Sequence, residues 1–160
     1  MQRDGVVCDA SLRALGTDGA AIPGVYAAGD IARWPNGAFG GEEMRVEHWT
    51  TTSEQARHVA EALIADSAGQ PVEPFVTVPF FWSDQYDRRI QFLGRAGGDD
   101  EVRVVAGSVE SRSFVALYGR DGRVRGALGV SMPKQLMRAR ALVAEGVAFD
   151  EALAAAAAWS

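Results

Sequence analysis

SFVALYGRDGRVRGALGVS, residues 113–131, is the stretch that decides the fold of the second half of this chain. Two short segments rich in Val, Leu, Phe and Ala flank Asp121-Gly122. An Asp-Gly pair between two such segments is a strong signal for a two-residue hairpin turn. The stretch therefore predicts two antiparallel strands, at residues 113–120 and 123–131.

Two segments immediately upstream have the same strand-like composition. RIQFLGRA at 89–96 and EVRVVAG at 101–107 are short, and three of the four strand segments partly alternate between apolar and polar residues. Pro133 and Gly146 bracket a predicted helix, since proline suits the first helical turn and glycine the position after the last. A final helix is expected from near Asp150 through the alanines. The expected fold class is α+β, with a C-terminal antiparallel sheet of four strands and helices.

The first half of the chain indicates a partial α/β segment. Val25–Ala28 is a short apolar run that predicts a buried strand, ended by Gly29-Asp30. Residues 31–44 carry several turn signals and are expected to be irregular. Thr51 with Glu54 three residues later matches a capping box and predicts that a helix begins there. The apolar face of this helix is expected to comprise Ala56, Val59, Ala60, Leu63 and Ile64.

A linker containing Gly and Pro, GQPVEP at 69–74, separates the two patterns. We therefore expect two domains, at residues 1–72 and 73–160. The chain is 48% hydrophobic and 23% charged with a net charge of −5, which is typical of a soluble globular protein and too acidic to favour nucleic acid. No apolar run approaches the ~20 residues of a membrane span.

The first residues and the single cysteine bear on the cellular compartment. Residues 2–4 are Gln-Arg-Asp, so the sequence does not open with the apolar core of a secretory signal. Cys8 is the only cysteine, which excludes an internal disulfide and a Cys-x-x-Cys redox pair in this sequence. We expect a cytoplasmic protein. The sequence indicates no metal-ligand set, and we assign no catalytic side chain.

Gly29 and Asp30 are the first candidate binding residues. A carboxylate at the carboxyl end of a buried strand lies where open α/β sheets bind ligands, and glycine lets a ligand approach the backbone closely. Glu47, His48 and Trp49 lead into the predicted helix. Its N-terminus would present unpaired N–H groups to an anion, including a ring that becomes negative on reduction. An ordinary turn at Gly29-Asp30 is the open alternative.

Two longer stretches resemble a known family. GVYAAGDIARWP (24–35) followed by RVEHWTTTSEQAR (45–57) resembles the end of the FAD-binding domain in NAD(P)H-dependent ferredoxin reductases, the relatives of putidaredoxin and rubredoxin reductases. VPFFWSDQYDRRIQFLG (78–94) is similar to the start of that family's C-terminal domain, and its Phe-Trp-Ser-Asp-Gln-Tyr run is the more specific signal. The resemblance covers nearly the whole chain.

The resemblance implies roles for individual residues. Asp30 would bind the ribityl or pyrophosphate part of FAD, and the backbone around His48 and Trp49 would lie against the pyrimidine edge of the flavin. Trp82 would lie near the flavin and the side that docks ferredoxin. Core packing is the alternative role for Trp49 and Trp82. The implied cofactor-binding set is Gly29, Asp30, Glu47, His48, Trp49 and Trp82.

The family also implies two dinucleotide-binding folds, each with a Gly-x-Gly-x-x-Gly turn. No stretch of this sequence has glycines at i, i+2 and i+5. The resemblance therefore implies that this sequence corresponds to the last part of a reductase that passes electrons from NAD(P)H through FAD to a [2Fe-2S] ferredoxin. We expect this part alone to retain no FAD and to be inactive. The sequence does not separate a truncated piece from a stand-alone remnant.

A stand-alone, non-catalytic dimerisation or interaction module derived from such a reductase is the second hypothesis. The strand predicted at Val25–Ala28 lacks its neighbours, and an apolar strand with open edges favours pairing with another chain. A homodimer is therefore an expected assembly, beside the ferredoxin that the resemblance implies as partner. A nitrite reductase subunit or a disulfide reductase is a more remote alternative.

Overall fold

The structure, a computed structural model, describes residues 4–159, which form two compact units. The first unit ends at Thr77 and the second begins at Val78. The first contains β1 (Val6–Val7), β2 (Arg13–Leu15), β3 (Ala21–Tyr26), β4 (Ala32–Asn36), β5 (Glu42–Arg45) and α1 (Trp49–Ser67). The second contains β6 (Phe80–Gln85), β7 (Arg88–Gly94), β8 (Glu101–Ser108), β9 (Ser113–Arg120), β10 (Arg123–Val130), α2 (Pro133–Glu145) and α3 (Phe149–Ala156).

The second unit is an antiparallel sheet with helices packed on it. Its strands lie in the order β6-β7-β10-β9-β8, and every neighbouring pair is antiparallel. The four predicted strands are all present, and the α+β fold class is confirmed. The expected strand number was wrong, because β6 adds a fifth strand beside β7. Its sequence, FFWSDQ, ends in three polar residues, so its composition did not mark it as a strand.

The hairpin and the helices of the second unit form where the sequence predicts them. Asp121-Gly122 has φ values of 53° and 71°, as a type I′ turn requires at both central positions. α2 begins at Pro133, and Gly146 follows it in the left-handed conformation with a φ of 56°. α2 packs so closely on β10 that a Cβ at Gly129 would lie 3.0 Å from the Leu136 side chain.

The first unit is built from two small sheets and one long helix. β4 lies between β1, to which it is parallel, and β5, to which it is antiparallel, while β2 and β3 form a separate antiparallel pair. Trp34 and Met44, from β4 and β5, are fully buried. Phe75 joins this core, and its N–H donates to the carbonyl of Ala10 at 2.8 Å. The segment after α1 therefore packs on the first unit.

The buried strand expected at Val25–Ala28 was wrong. β3 instead covers Ala21–Tyr26 and pairs antiparallel with β2, and Val25 is 44% exposed. Within residues 4–159, β2 is the only strand hydrogen-bonded to β3. Val25 therefore faces solvent, whereas Ala27, just after β3, is 6% exposed and belongs to the core of the unit. The parallel pairing of the unit lies between β1 and β4.

The irregular segment expected at residues 31–44 was also wrong. It forms the hairpin of β4 and β5 around a 3-10 turn at Gly37–Phe39. The turn signals mark only the tip of this hairpin. The side chain of Asn36 caps the 3-10 turn by accepting the N–H of Ala38 at 3.2 Å, and Gly40 ends it with a φ of 65°.

α1 begins three residues earlier than the capping-box pattern predicts. Its N-cap is His48, whose side chain makes no capping hydrogen bond, and Thr51 lies buried in the first turn. The hydroxyl of Thr77 donates to Glu54 Oε2 at 2.6 Å. The predicted capping box was therefore wrong. Thr51 is buried inside the helix instead of capping it, and the Glu54 carboxylate accepts a hydrogen bond from Thr77 instead of from the backbone at the N-cap.

The buried face of α1 also differs from the predicted face. Thr51, Gln55 and Ala62 are buried, whereas Leu63 and Ile64 are 42% and 71% exposed. The predicted apolar face therefore lies mostly against solvent in this chain. None of the described helices is long and apolar enough to cross a membrane.

Candidate functional site

The Gly29-Asp30 turn lies directly against the first turns of α1. Gly29 is buried, and its N–H donates to Oε1 of Gln55 at 2.7 Å. Its φ is +75°, and a Cβ at this position would lie 3.1 Å from the methyl group of Thr52. The backbone conformation strains any other residue here, and the tight contact with Thr52 adds to the preference for glycine. Two segments that are distant in the sequence form one local surface here.

Arg45, at the end of β5, holds the other side of the turn. Its Nη1 donates to the backbone carbonyl of Asp30 at 2.9 Å and also contacts the Glu47 carboxylate, while its Nε donates to Asp4 Oδ1 at 2.9 Å. The hydrogen bonds to Asp4 and then Glu47 raise the pKa of Arg45 above its ordinary value. The turn is thus hydrogen-bonded to α1 through Gln55 and to β5 through Arg45.

The N-terminus of α1 lies at this surface without a side-chain cap from His48. The N–H of Thr52 donates to the carbonyl of His48 at 2.9 Å, the His48 side chain gives no cap, and the first turn contains no acidic residue. Trp49, the first residue of the helix, is 80% exposed. The positive end of the helix dipole, an exposed indole and the exposed side chain of Asp30 therefore share one part of the first unit.

The electrostatics of His48 reflect this arrangement. Partial burial lowers the pKa of His48 from its ordinary value, and the nearby charge of Asp30 opposes that shift. A lowered pKa keeps the imidazole neutral near pH 7. His48 therefore brings no positive charge of its own to the helix entrance, and the Asp30 carboxylate is close enough to interact with its ring electrostatically.

Two polar side chains beneath this surface have unused hydrogen-bonding atoms. Thr51 and Gln55 are fully buried, and neither Thr51 Oγ1 nor Gln55 Nε2 has a hydrogen-bond partner among the described residues. Such atoms are uncommon in protein interiors. The sequence analysis missed Gln55. The available signal was its position four residues after Thr51, on the same face of the helix.

Trp82 belongs to the second unit, where it lies on β6. Its ring centroid lies 5.9 Å from that of Phe80, and the guanidinium carbon of Arg89 lies 5.9 Å from the indole centroid, within cation–π range. Trp82 is 41% exposed and Trp49 is 80% exposed. The alternative that these two tryptophans are core residues was therefore wrong.

The first-unit site suits a ligand that combines hydroxyl groups, an aromatic ring and negative charge. Asp30 can accept hydrogen bonds from hydroxyls, the positive end of the α1 dipole can stabilise an anion, and Trp49 offers a ring face. The chemistry of these surface groups is compatible with part of an FAD, whereas the hydroxyl of Thr51 is buried beneath them. Among residues 4–159, no group of three or more His, Cys, Asp or Glu side chains is placed to hold a metal ion.

A family model described as Reductase C-terminal matches residues 80–160, which include every strand and helix of the second unit. The chain belongs to the Reductase C-terminal family. The matched region does not include the candidate residues Gly29, Asp30 and Glu47 to Trp49. The family match therefore says nothing about them, and their grouping is a result of the structure of the first unit alone.

Relatives of this Reductase C-terminal chain match it along most of its length. It is 40% identical over 129 residues to the 5,5′-dehydrodivanillate O-demethylase ferredoxin reductase subunit of Sphingobium sp. strain SYK-6, covering 81% of this chain and 30% of that protein. It is 35% identical over 142 residues to a ferredoxin–NAD(P)+ reductase of a Sphingomonas species, covering 88% and 31%. The crystal structure of Fdr9 superimposes with a TM-score of 0.78 at 32% identity, covering 95% of this chain and 37% of that one. The chain thus spans about a third of the length of the relatives that it matches.

Proposed function

We propose that this chain is the C-terminal part of a flavoprotein that passes electrons from NAD(P)H to a [2Fe-2S] ferredoxin. The first unit supplies part of the wall that holds FAD, and the second unit is the interface domain of the reductase. The observation that carries the proposal is the Gly29-Asp30 turn, which Gln55 and Arg45 hold beside the uncapped N-terminus of α1. The names of the two curated relatives support the choice of ferredoxin.

In the proposed reductase, FAD supplies the chemistry of accepting a hydride and releasing single electrons. Asp30 accepts hydrogen bonds from hydroxyls of the ribityl chain or from the neighbouring part of the cofactor. The N-terminus of α1 stabilises negative charge on the flavin ring. Trp49 and the backbone at His48 cover the ring edge, and Glu47 keeps Arg45 in place.

The second unit contributes a docking surface in this proposal. Trp82 is exposed beside Arg89, whose side chain is 51% exposed and also pairs with Asp84 at 3.2 Å. Exposed arginines favour the approach of an acidic protein such as a ferredoxin. We further propose a cytoplasmic location, since the lone Cys8 is buried and free, as suits a reducing compartment.

A hybrid protein tests the proposal. It joins the preceding two-thirds of the Sphingobium relative to the whole of this chain. We expect the hybrid to bind one FAD and to reduce ferredoxin with NADH, whereas this chain alone retains no flavin after purification, because its sequence lacks the glycine-rich phosphate turn. A folded hybrid without a flavin absorption band would contradict the proposal.

Matched variants of the hybrid test the part of Asp30. Asp30→Asn should weaken FAD binding about tenfold or more, because hydrogen bonds to a charged acceptor are the stronger kind. Asp18→Asn is the control, since Asp18 accepts the N–H of Ala20 in a separate exposed turn. Equal losses in the two variants would remove Asp30 from the site.

The second candidate is a stand-alone, non-catalytic interaction module. The observation that favours it is edge strand β8, where Val102 and Val104 are 45% and 47% exposed and invite pairing with a second chain. The mass of the purified chain in solution tests the homodimer. NADH turnover by this chain alone would exclude the module.

A further inference from the structure

We propose that Gln55 is a positioning residue, which holds the turn that carries Asp30 against the N-terminus of α1. The inference rests on the proposed function and extends it to a residue below the binding surface. Gln55 is fully buried, and its Oε1 accepts the N–H of Gly29 at 2.7 Å. This hydrogen bond joins the turn to α1 directly, one residue before the proposed ligand-binding carboxylate.

The geometry explains why the turn needs an acceptor at this position. Gly29 is buried and has a φ of +75°, so its N–H belongs to no strand or helix ladder. A buried N–H without a partner lowers the stability of the fold, because it has lost its hydrogen bond to water and gains no other. Because Gly29 is a donor, the atom of Gln55 that faces it must be the oxygen, which fixes the orientation of the amide.

The rest of the Gln55 side chain shows that packing alone does not account for glutamine. Its Nε2 is buried and has no hydrogen-bond partner among the described residues. Methionine or leucine would fill a similar volume without burying an unused N–H group. The side-chain oxygen is therefore the feature of Gln55 that this position uses.

Arg45 provides a second, weaker hold on the same turn. Its Nη1 donates to the carbonyl of Asp30 at 2.9 Å, but its side chain is 29% exposed and shared with the carboxylates of Asp4 and Glu47. Water can replace an exposed hydrogen bond at little cost, whereas a buried N–H that loses its acceptor has no replacement. Gln55 should therefore control the position of Asp30 more strongly than Arg45 does.

Amide hydrogen exchange in the whole chain tests the positional part without FAD. Gln55→Met keeps the side-chain volume but removes the acceptor, and we expect the Gly29 amide to exchange about tenfold faster or more. Gln55→Glu keeps an oxygen and should restore most of the protection. Val59→Ala is the control for lost stability, since Val59 lies on the same helix and packs against the apolar core of the first unit.

Each outcome of the exchange experiment decides the proposal. Faster exchange at Gly29 in Gln55→Met than in Val59→Ala, with recovery in Gln55→Glu, supports it. Equal exchange in Gln55→Met and Val59→Ala overturns it. If Gln55→Met does not fold, the unmodified chain still decides, because a Gly29 amide that exchanges as fast as that of the exposed loop residue Gly98 overturns the proposal.

The hybrid protein tests the link to the cofactor. Gln55→Met in the hybrid should raise the dissociation constant for FAD about tenfold, while Val59→Ala should leave it within about twofold. An unchanged FAD affinity in Gln55→Met overturns the positioning role. An unmodified hybrid that binds no FAD overturns the proposed function instead, and the exchange result then shows whether Gln55 still holds the turn.

Discussion

The long helices of the two units bury their side chains in different ways. In the second unit, α2 buries the apolar residues Leu136, Ala139 and Val143. In the first unit, α1 buries Thr51 and Gln55 and leaves Ile64 71% exposed. The contrast teaches that an amphipathic pattern produces its expected burial only where the chain also supplies the neighbours that cover it.

The proposed function gives this contrast a reason. If the first unit is the last part of a larger FAD-binding domain, the exposed face of α1 and the exposed residues of β3 are surfaces that the rest of a reductase covers. The buried polar face of α1 then supports the ligand site from below. In the second unit, by contrast, the buried face of α2 is apolar and consists of Leu136, Ala139 and Val143.

Leu136→Ala should give the largest effect and tests the core of the second unit. Leu136 is 0% exposed and packs against Gly129, so its removal leaves a cavity that costs about 2–5 kcal/mol of unfolding free energy. Met137, the next residue, is 45% exposed, and Met137→Ala should cost less than about 1 kcal/mol. Urea denaturation measures both. Similar losses would show that Leu136 is not packed in a closed core of the second unit.

Labelling of Cys8 tests how firmly the core of the first unit is closed. Cys8 is buried, and burial raises its pKa from 9.0 to about 11. Two pKa units reduce the thiolate fraction at pH 8 about a hundredfold. A thiol reagent should therefore react at least about a hundredfold more slowly with the native chain than with the chain in concentrated urea. Equal rates would show that the first unit is open in solution.

Substitutions on two faces of α1 sharpen the contrast further. Ala62 is 3% exposed, and Ala62→Gln should cost about 1–3 kcal/mol through overpacking. Ile64→Gln should change the unfolding free energy by no more than about 0.5 kcal/mol in this chain, because its side chain already faces water. In the hybrid protein, Ile64→Gln should cost more. A neutral effect in both proteins would show that nothing covers this face.

The titration of His48 gives the smallest effect. Because burial lowers the folded-state pKa of His48 below its ordinary 6.5, the unfolded chain binds the proton more readily. The contribution of His48 to stability is therefore complete above pH 6.5 and is lost as the pH falls below it. NMR titration of the ring should show a pKa below 6.5, and Asp30→Asn should lower it further. An unchanged pKa of His48 in Asp30→Asn would show that the Asp30 carboxylate does not lie close to the His48 ring.

The sequence predictions succeeded where the interactions are local along the chain and failed where they join residues that are distant in sequence. The hairpin at Asp121-Gly122 and the start of α2 at Pro133 depend on local backbone conformation, which a few residues determine. The β4–β5 hairpin was missed because its tip residues were read as a long loop. Thr51 was misread as a cap because its burial depends on residues far away in the sequence.

The candidate site divides in the same manner. The sequence pointed to Asp30, Trp49 and the adjoining helix entrance, because a carboxylate after an apolar run and an open helix N-terminus are local features. It did not indicate Gln55, whose significance arises only when the N–H of Gly29 lies 2.7 Å away. FAD binding by these residues stays a prediction.

The sequence by itself determined four of the five strands and the helices of the second unit, because turn chemistry, strand composition and helix ends all act over a few residues. Only the tertiary structure decided which face of α1 is buried, that β3 is exposed, and that the Gly29-Asp30 turn lies against the helix entrance. Burial depends on which elements pack against each other in space, and the pattern of residues along one segment does not specify those partners.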